Sequence, residues 1–436
     1  MNSVDISASD VGPFAQRLAA AGGVSSLAAN AFAEVGLPGT KDEAFHYTSL
    51  RSLNRLKFIA DSVVPSDAEL AALVDNALPS DGSLASATRI VFVNGIFSEK
   101  FSTVSDLSAV SFTHGTQEEQ HSVADNDLPL VLLNRALGCS TAELEVPEGT
   151  DAGTIVILSL NFGNATEGDE APSFHPHLHV RVGKGASVTL AEMIIGKGVY
   201  LNNPVSVINV AKEASVTHTK LQRESADAFH LATVSPVIAE RGTYNSFTLG
   251  FGAQLSRHEV HAYLEGAGSA VHINGAQLLA GRQVGDITSV ITHAAPNCIS
   301  RQTVRNVLAD RARGVFQGKV FVERIAQKTD GYQMNQALLL SETAEMNAKP
   351  ELEIYADDVK CSHGATVGAL DDDQLFYLCS RGIPDAEARR ILVEAFLIEA
   401  VGLVEVDDVR AALEGALSAA LVERIGATAM GDGSLS

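Results

Sequence analysis

A cysteine and a histidine lie two residues apart at Cys361 and His363, in the stretch ADDVKCSHGATVG. Thiolate and imidazole both bind metals, so the pair could hold a metal ion or contribute to an iron–sulfur cluster. If residues 359–365 form a strand, both side chains share a face, about 6 to 7 Å apart along it. Four ligands usually hold such a cluster, so the others would have to come across an interface. The spacing leaves a second interpretation open, a buried cysteine beside a hydrogen-bonded histidine.

Two other groups of histidines have simpler explanations. His175, His177 and His179 fall on one face of the segment FHPHLHV, an arrangement that could bind a metal. The interleaved leucine and valines are apolar and should face the core, so we expect the three imidazoles on a solvated outer face. His258 and His261 are three residues apart, a spacing that shares a face only on a helix, and we expect them to be unrelated in a strand.

The chain shows no signature of a phosphate-binding loop. The Gly-Lys pairs that begin at residues 183, 196 and 318 lack both the earlier glycine and the following Ser or Thr of a P-loop. We therefore expect no nucleotide site on this chain, and any ATP hydrolysis would belong to another chain. A Gly-x-Ser-x-Gly elbow, which would mark a nucleophilic serine, is also missing from the sequence.

The acidic composition argues against two classes of partner, nucleic acids and anionic membranes. The 436 residues include 31 basic and 53 acidic side chains, for a formal net charge of −22, which repels phosphate backbones and anionic membrane surfaces. No apolar run approaches the roughly 20 residues of a membrane helix, and the start MNSVDISASDVG lacks the features of a signal peptide. We expect a cytoplasmic protein with no nucleic-acid or membrane partner. The four cysteines form no CxxC pair, and we expect each to be reduced.

The middle of the chain repeats itself. VGKGASVT at residue 182 returns as VAKEASVT at 210, then more loosely as IAERGTYN at 238 and LEGAGSAV at 264, with offsets of 28, 28 and 26 residues. Each unit opens on an apolar residue, carries a small residue four places later and continues as a strand. A period in this range predicts a solenoid of stacked parallel strands that turn a corner at the small residue and wind right-handed. Chance similarity among Gly-rich hairpins is the alternative.

Helical patterns flank this repeat. SSLAANAFAEVGLPG predicts a helix that ends before Gly36, and RIVFVNGIF predicts a hairpin around Asn94-Gly95. After Asp371 one helix ends near Gly382, and a second should bury an apolar face. A last helix carries a single apolar stripe, which suits either internal packing or a partner. Those two stripes comprise Ile391, Leu392, Ala395 and Phe396, then Val409, Leu413, Leu417, Leu421 and Ile425.

We predict an N-terminal, mainly helical domain over 1–150, a β-solenoid over 151–368 and a C-terminal helical domain over 369–436.

A longer stretch carries a family resemblance. KPELEIYADDVKCSHGATVGALDDDQLFYLCSRGI, residues 349–383, closely resembles the signature of the SufB/SufD family of iron–sulfur cluster assembly scaffolds, and residues 300–340 are similar to the segment that precedes it. The KCSHGAT form with Gly364 resembles the SufD type. The resemblance covers residue 149 to the end well and the N-terminal region loosely, where Phe45-His46-Tyr47 stands in place of a usual Trp-Lys-Tyr run.

The resemblance implies a fold, partners and a site. The fold is mainly β, a right-handed parallel β-helix between helical domains. The resemblance also implies a complex of one SufB, one SufD and two copies of a SufC ATPase. In it SufB would pair through the β-helix ends, and SufC would dock on the C-terminal helical domain. SufD's contribution to a transient cluster shared with SufB falls on His363, the more direct ligand, and on Cys361. The chain itself would be a scaffold without catalytic activity.

Other functions stay open beside this one. A homodimeric scaffold could work without SufB. A β-helix carbohydrate-active enzyme would need clustered outward acidic residues, which the repeat does not show. A flavin associated with the complex has no support in the sequence.

Overall fold

A computed structural model describes residues 12–20, 26–77, 84, 86–104, 110–115, 128–138, 140–164 and 169–431. Its α-helices are α1 (Ala15–Ala20), α2 (Ser26–Val35), α3 (Asp67–Ala77), α4 (Pro129–Leu137), α5 (Asp372–Ser380), α6 (Asp385–Val401) and α7 (Asp407–Gly431). Short 3-10 helices lie at Gly12–Phe14, Glu43–Phe45, Leu50–Arg55 and Glu99–Phe101. In the part of the chain that is described, no helix is both long and apolar enough to cross a membrane.

Strands occupy most of the chain between the helical ends. The first of them are β1 (Lys57–Ile59), β2 (Thr88–Val93), β3 (Ile96–Phe97), β4 (Ser111–Gly115), β5 (Thr141–Val146), β6 (Asp151–Phe162), β7 (Glu170–Phe174), β8 (His177–Val182), β9 (Ser187–Lys197), β10 (Leu201–Asn202) and β11 (Val205–Val210). The rest are β12 (Ser215–Arg223), β13 (Phe229–Ile238), β14 (Thr243–Gly250), β15 (Leu255–Leu264), β16 (Ala270–Leu279), β17 (Val284–His293), β18 (Ile299–Leu308), β19 (Arg313–Val322), β20 (Asp330–Leu339), β21 (Glu345–Ile354) and β22 (Lys360–Gly368).

The strands form a parallel β-solenoid of about seven turns, which confirms the predicted fold class. One sheet has the order β21-β19-β17-β15-β13-β11-β8-β5-β4, and the other has the order β22-β20-β18-β16-β14-β12-β9-β6-β2-β3. Each coil therefore contributes one strand to each sheet. The predicted hairpin is present as the antiparallel pair β2–β3, with positive φ at Asn94 and Gly95.

The repeat marks the corner between the two sheets. Ser187, Ser215, Thr243 and Ala270 stack in register as the first residues of successive strands. The small residue just before each is buried at the corner, and it is Ala186, Ala214, Gly242 and Ser269. In the fourth unit the repeat predicts Gly268 for this position. The stacked residue is Ser269 instead, because the corner there is one residue longer: Ile238 pairs with Leu264, but Thr243 pairs with Ala270.

Hydrophobic side chains fill the solenoid and two outer faces. One cluster lies in the lumen between the sheets, and Val180, Val216 and Val260 belong to it. A second packs α3 and the C-terminal helices on the outside of the sheet that carries β12, β14, β16 and β18. A third packs α2 and α4 on the other side. The predicted boundary at residue 150 stays a prediction, although β2 and β5, which precede it, already pair with the solenoid strands β6 and β8.

The C-terminal helices agree with the sequence in part. Asp371 caps α5 by accepting hydrogen bonds from the backbone of residues 373 and 374, and Gly382 follows the helix with a φ of 88°. The stripe of α7 is buried from Val409 to Leu421, while the side chain of Ile425 lies outside the described residues. The face predicted for α6 is wrong. That helix buries Val393, Leu397, Ala400 and Val401 against the sheet and α7, whereas Ala395 is exposed.

Candidate functional site

The strand that carries Cys361 and His363 ends the solenoid. In the part of the chain that the structure describes, β22 pairs with β20 on one side and has a free edge on the other. The residues before it turn a corner at Asp357 and Asp358. The preceding strand, β21, begins at Glu345. β21 tolerates Pro350 in its interior because it too is an edge strand, paired only with β19.

Register places both candidate ligands in columns that face the lumen. His363 stacks on Gln333, which stacks on Gln302, and both glutamines are buried inside the solenoid. Cys361 stacks on Gly331 of the adjacent coil. Because alternate residues of a strand share a face, Cys361 and His363 continue the lumen wall. Among the described residues no further coil lies above β22, and the imidazole of His363 is exposed at the open end.

The thiol of Cys361 is half-buried. It packs against a small apolar cluster that includes Val320, Val322 and Leu352, and an added Cβ on Gly331 would lie 3.3 Å from its sulfur. Burial raises the pKa of the Cys361 thiol above its ordinary value. The group is therefore a thiol at neutral pH, and binding a metal would require it to release a proton.

Two ligands alone make an incomplete metal site. Among the described residues, no three His, Cys, Asp or Glu side chains come together in a way that could hold a metal ion. Cys361 and His363 thus lie on one face of one strand without a third ligand from this chain's described part. The arrangement can donate a thiolate and an imidazole to a metal that is held in part by another molecule.

The histidines of FHPHLHV do not form the solvated face that the sequence predicts. His175 is buried, with Nδ1 3.0 Å from Asn203 Oδ1 and Nε2 3.0 Å from Ser173 Oγ. His177 lies under α4, with Nδ1 3.3 Å from Asn134 Oδ1. The imidazoles do point away from the apolar lumen, but Phe14 packs against His175 and α4 covers His177. This cover comes from residues far away in sequence, which the local alternation cannot reveal.

Burial changes the protonation of these histidines. Desolvation lowers the pKa of His175 to about 3 and that of His177 to about 4. His179 is more open and bonds to Asn209 at 2.7 Å. All three have neighbours within the fold, and the structure brings none of them to Cys361 or His363.

His258 and His261 are unrelated, as expected. His258 is buried in register with Ala232 and Ile287, whereas His261 lies on the other face, with Nε2 2.9 Å from Glu259 Oε1. The three-residue spacing places them on opposite sides of β15.

A buried ionic cluster in the lumen was missed by the sequence analysis. Glu192 lies 3.0 Å from the Lys220 ammonium and 3.2 Å from His218 Nε2, and Tyr244 bonds to His218 Nδ1 at 2.8 Å. Burial alone would raise the pKa of Glu192, but Lys220 and His218 outweigh it and hold that pKa below its usual range. The available signal was the offset from Glu192 to Lys220, which is 28 residues, the same as the repeat, and so predicts direct stacking.

A second buried carboxylate lies farther along the same coil. Glu224 is 2.7 Å from His230 Nδ1 and accepts hydrogen bonds from Tyr200 at 3.1 Å and Gln222 at 3.0 Å. Each partner satisfies part of the carboxylate, so the group is a structural anchor inside the fold. It lies several coils away from the open end.

Comparison with known proteins identifies the family. The model of the SufBD core domain of the SUF system for FeS cluster assembly matches residues 164–396. An iron–sulfur cluster assembly SufBD family protein of Synechocystis is 34% identical over 391 residues, covering 85% of this chain and 84% of the relative. The iron–sulfur cluster assembly protein SufD of Escherichia coli is 32% identical over 368 residues, covering 84% of each chain. SufD of Bacillus subtilis is 27% identical over 318 residues, covering 70% of each.

The matched core contains the solenoid from β7 onward, including the open end with Cys361 and His363. Two relatives above 30% identity extend the likeness over most of the chain. The chain belongs to the SufBD family of iron–sulfur cluster assembly proteins, as a SufD-type member.

Proposed function

We propose that this chain is a non-catalytic scaffold subunit that supports ATP-dependent de novo assembly of iron–sulfur clusters in the cytoplasm. It acts with a SufB-like paralogue, which shares the cluster site, and with a SufC-like ATPase, which supplies the hydrolysis. The iron and the nascent cluster are cargo of this site and leave with the product. The observation that carries the proposal is the pair Cys361 and His363 at the open end of the lumen, beside a free strand edge.

The open end supports a shared site for a physical reason. His363 is exposed and can bind ferrous iron through a ring nitrogen, while the half-buried Cys361 can add a thiolate once its proton leaves. Two ligands hold a cluster weakly, and a partner that covers the open end would bring the others. A site divided between two chains can open when they separate, which suits assembly and release better than permanent storage.

Free strand edges offer the surface for that partner. β21 and β22 each present unpaired backbone groups on the side away from the solenoid, and such edges pair readily with strands of another chain. The carbonyls and amides there need partners of similar geometry, which a paralogous solenoid supplies. A second copy of this chain would be the competing partner.

The C-terminal helices offer a route for coupling to an ATPase. α6 packs on β16 and β18, and Arg305 of β18 donates to the Phe396 carbonyl at 2.7 Å while its guanidinium lies 4.8 Å from the Phe396 ring. β18 also carries Gln302, two coils below His363. Movement of the helices would therefore act on coils near the open end. Coupling requires that the ATP-bound state and the open interface favour each other.

The test is anaerobic reconstitution of the chain with SufB, SufC, ferrous iron, sulfide and ATP, followed by the absorbance of the cluster. We expect His363→Ala to slow cluster formation by about tenfold or more and Cys361→Ser to slow it less. Ser362→Ala is the matched control, because Ser362 lies between the two on the opposite face of β22, and its rate should equal that of the unmodified chain. If His363→Ala and Cys361→Ser both assemble clusters at the unmodified rate, the proposed site is wrong.

A further inference from the structure

A buried amide directly below His363 has no partner. Gln333 is fully buried in the lumen, and neither its Nε2 nor its Oε1 forms a hydrogen bond with any described residue. Buried amides in folded proteins are nearly always paired, so an amide that lacks both a donor and an acceptor partner points to a group that joins it in another state. Gln333 lies one coil below the open end.

The lumen has room for the Gln333 amide because the residue facing it is a glycine. On the opposite sheet lies Gly318, where an added Cβ would come within 2.7 Å of Gln333 Oε1. Only glycine leaves room for the amide at this level of the lumen. The amide therefore fills the width of the lumen and cannot be displaced sideways toward β19.

Below Gln333 the lumen continues as a polar column. Ser289 Oγ lies 2.5 Å from Gln302 Oε1, which leaves Gln302 Nε2 without a partner among the described residues. Gln302 stacks directly beneath Gln333. The column thus runs from Ser289 through Gln302 and Gln333, and its upper end is the position of His363.

Above Gln333, His363 is the one strong hydrogen-bonding side chain that the described part of the last coil turns toward the lumen. The lumen-facing residues of that coil follow from the register of β19 with β21 and of β20 with β22. They are Met346, Ala348, Pro350, Leu352, Ile354, Cys361, His363, Ala365 and Val367. Adjacent parallel strands lie about 4.8 Å apart, so an imidazole and an amide in register are within reach of each other.

We infer that Gln333 positions His363 for metal binding, an inference that rests on the proposed function. Gln333 Oε1 accepts a hydrogen bond from the ring N–H of His363 that faces the lumen. The other ring nitrogen is then unprotonated and faces the open end, where ferrous iron arrives. Outer partners of this kind fix the tautomer and the orientation of metal-binding histidines.

The column below can adapt to this arrangement. When Gln333 Oε1 points up to His363, its Nε2 points down and needs an acceptor. Gln302 supplies one by rotating its amide, and the Ser289 hydroxyl can accept as well as donate. The three side chains can therefore reverse their hydrogen-bond direction together, without a change in the backbone.

The experiment uses the full chain with its histidines labelled with 13C and 15N, and it has two readouts. At a pH where the imidazole is neutral, the ring carbon shifts report which nitrogen of His363 carries the proton. A Zn²⁺ titration followed on the same signals gives the affinity of His363 for a divalent metal. His363→Ala assigns the signals. Gln333→Met removes the amide at nearly constant length, and Gln277→Met is the matched control, because Gln277 is a buried glutamine outside this column.

We expect the unmodified chain to show one tautomer of His363, and Gln333→Met to show a mixture with about tenfold weaker Zn²⁺ binding. Gln333→Glu keeps an acceptor oxygen and should retain both properties, while Gln277→Met should stay within about twofold. If Gln333→Met leaves the tautomer and the affinity unchanged, or if Gln277→Met weakens binding equally, Gln333 does not position His363. If His363→Ala fails to weaken Zn²⁺ binding, the ligand role in the proposed function is wrong, and this inference falls with it.

Discussion

His175 shows how a single buried side chain ties stability to pH. Burial lowers its pKa from the ordinary 6.5 to about 3, and His177 and His293 are lowered to about 4 for the same reason. The folded chain keeps these imidazoles neutral, while the unfolded chain protonates them near pH 6.5. The unfolded state therefore binds more protons as the pH falls, and folding stability should decrease from about pH 6.5 downward.

The prediction for His175→Gln is a flatter dependence of stability on pH. Each buried neutral histidine contributes a slope of up to about 1.4 kcal/mol per pH unit below pH 6.5, and the variant removes one of them. Urea unfolding between pH 7.5 and 5 measures the free energy of unfolding. His114→Gln, at an exposed position, is the control and should keep the original slope. An unchanged slope in His175→Gln would show that His175 is not buried in its neutral form.

For single residues, the sequence predicted which side chains share a strand face better than it predicted their burial. The spacing of Cys361 and His363 correctly predicted a shared face on a strand. The exposure of His363 and the burial of His175 depend on which elements lie above them, the end of the solenoid in one case and the N-terminal helices in the other. Neither fact is contained in the neighbouring residues.

The segment from Glu43 to Thr48 connects the N-terminal region to the solenoid through side-chain contacts. Phe45 lies 4.2 Å from the guanidinium of Arg257 on β15, and Thr48 bonds to Asp286 on β17. Gln317 on β19 donates to the Ala44 carbonyl at 3.0 Å, and Lys349 on β21 pairs with Glu43 at 2.7 Å. One short segment thus crosses four successive coils and reaches the last one.

Arg257 is the central contact of this segment, and its removal should be costly. It is fully buried, 2.5 Å from Asp286 and 3.0 Å from Glu259, so Arg257→Met leaves two buried carboxylates without their cation. We expect a loss of about 3 to 5 kcal/mol in the free energy of unfolding, measured in urea.

Arg241→Met is the control for Arg257→Met. Arg241 is half exposed and pairs with Glu213 and Glu240 on the surface, so its loss should lower the free energy of unfolding far less than the loss of Arg257 does. Equal losses in the two variants would contradict the anchoring role of Arg257.

The elements themselves were predictable where the sequence repeats. The 28-residue offset in residues 182–217 correctly gave the stacking of β9 on β12, because register follows from the repeat. The fourth unit departed by one residue at Ser269, since a corner can take an insertion without disturbing the strands on either side. The buried face of α6 was also missed, because apolar side chains surround that helix and packing, not spacing, selects among them.

Among the described residues, the two most exposed aromatic side chains lie next to each other on α5. Phe376 and Tyr377 of α5 are 75% and 56% exposed, while the apolar stripe of α7 is buried within the chain. The ATPase partner that we propose would therefore dock on α5 and not on the stripes of α6 and α7. Exposed aromatic residues are common at the centre of protein interfaces.

A double variant tests this surface in the reconstituted complex. Phe376→Ser with Tyr377→Ser should leave the fold stable to within about 0.5 kcal/mol, since both residues are exposed. Native mass spectrometry with SufB and SufC should then show loss of one ATPase copy while the SufB partner remains. Val422→Ser removes an exposed apolar residue of α7 and should keep the full stoichiometry. Loss of the ATPase in Val422→Ser alone would place the surface elsewhere.

The point at which the solenoid stops has a consequence for how such a site can arise. Gln302, Gln333 and His363 occupy equivalent places in consecutive coils, yet the first two are sealed and the third is open. Only the position in the last coil is accessible to a ligand. A further coil above His363 would bury it, just as the coil of His363 buries Gln333. In a repeat architecture, gain or loss of a single unit can therefore create or erase a metal site without changing any of its residues.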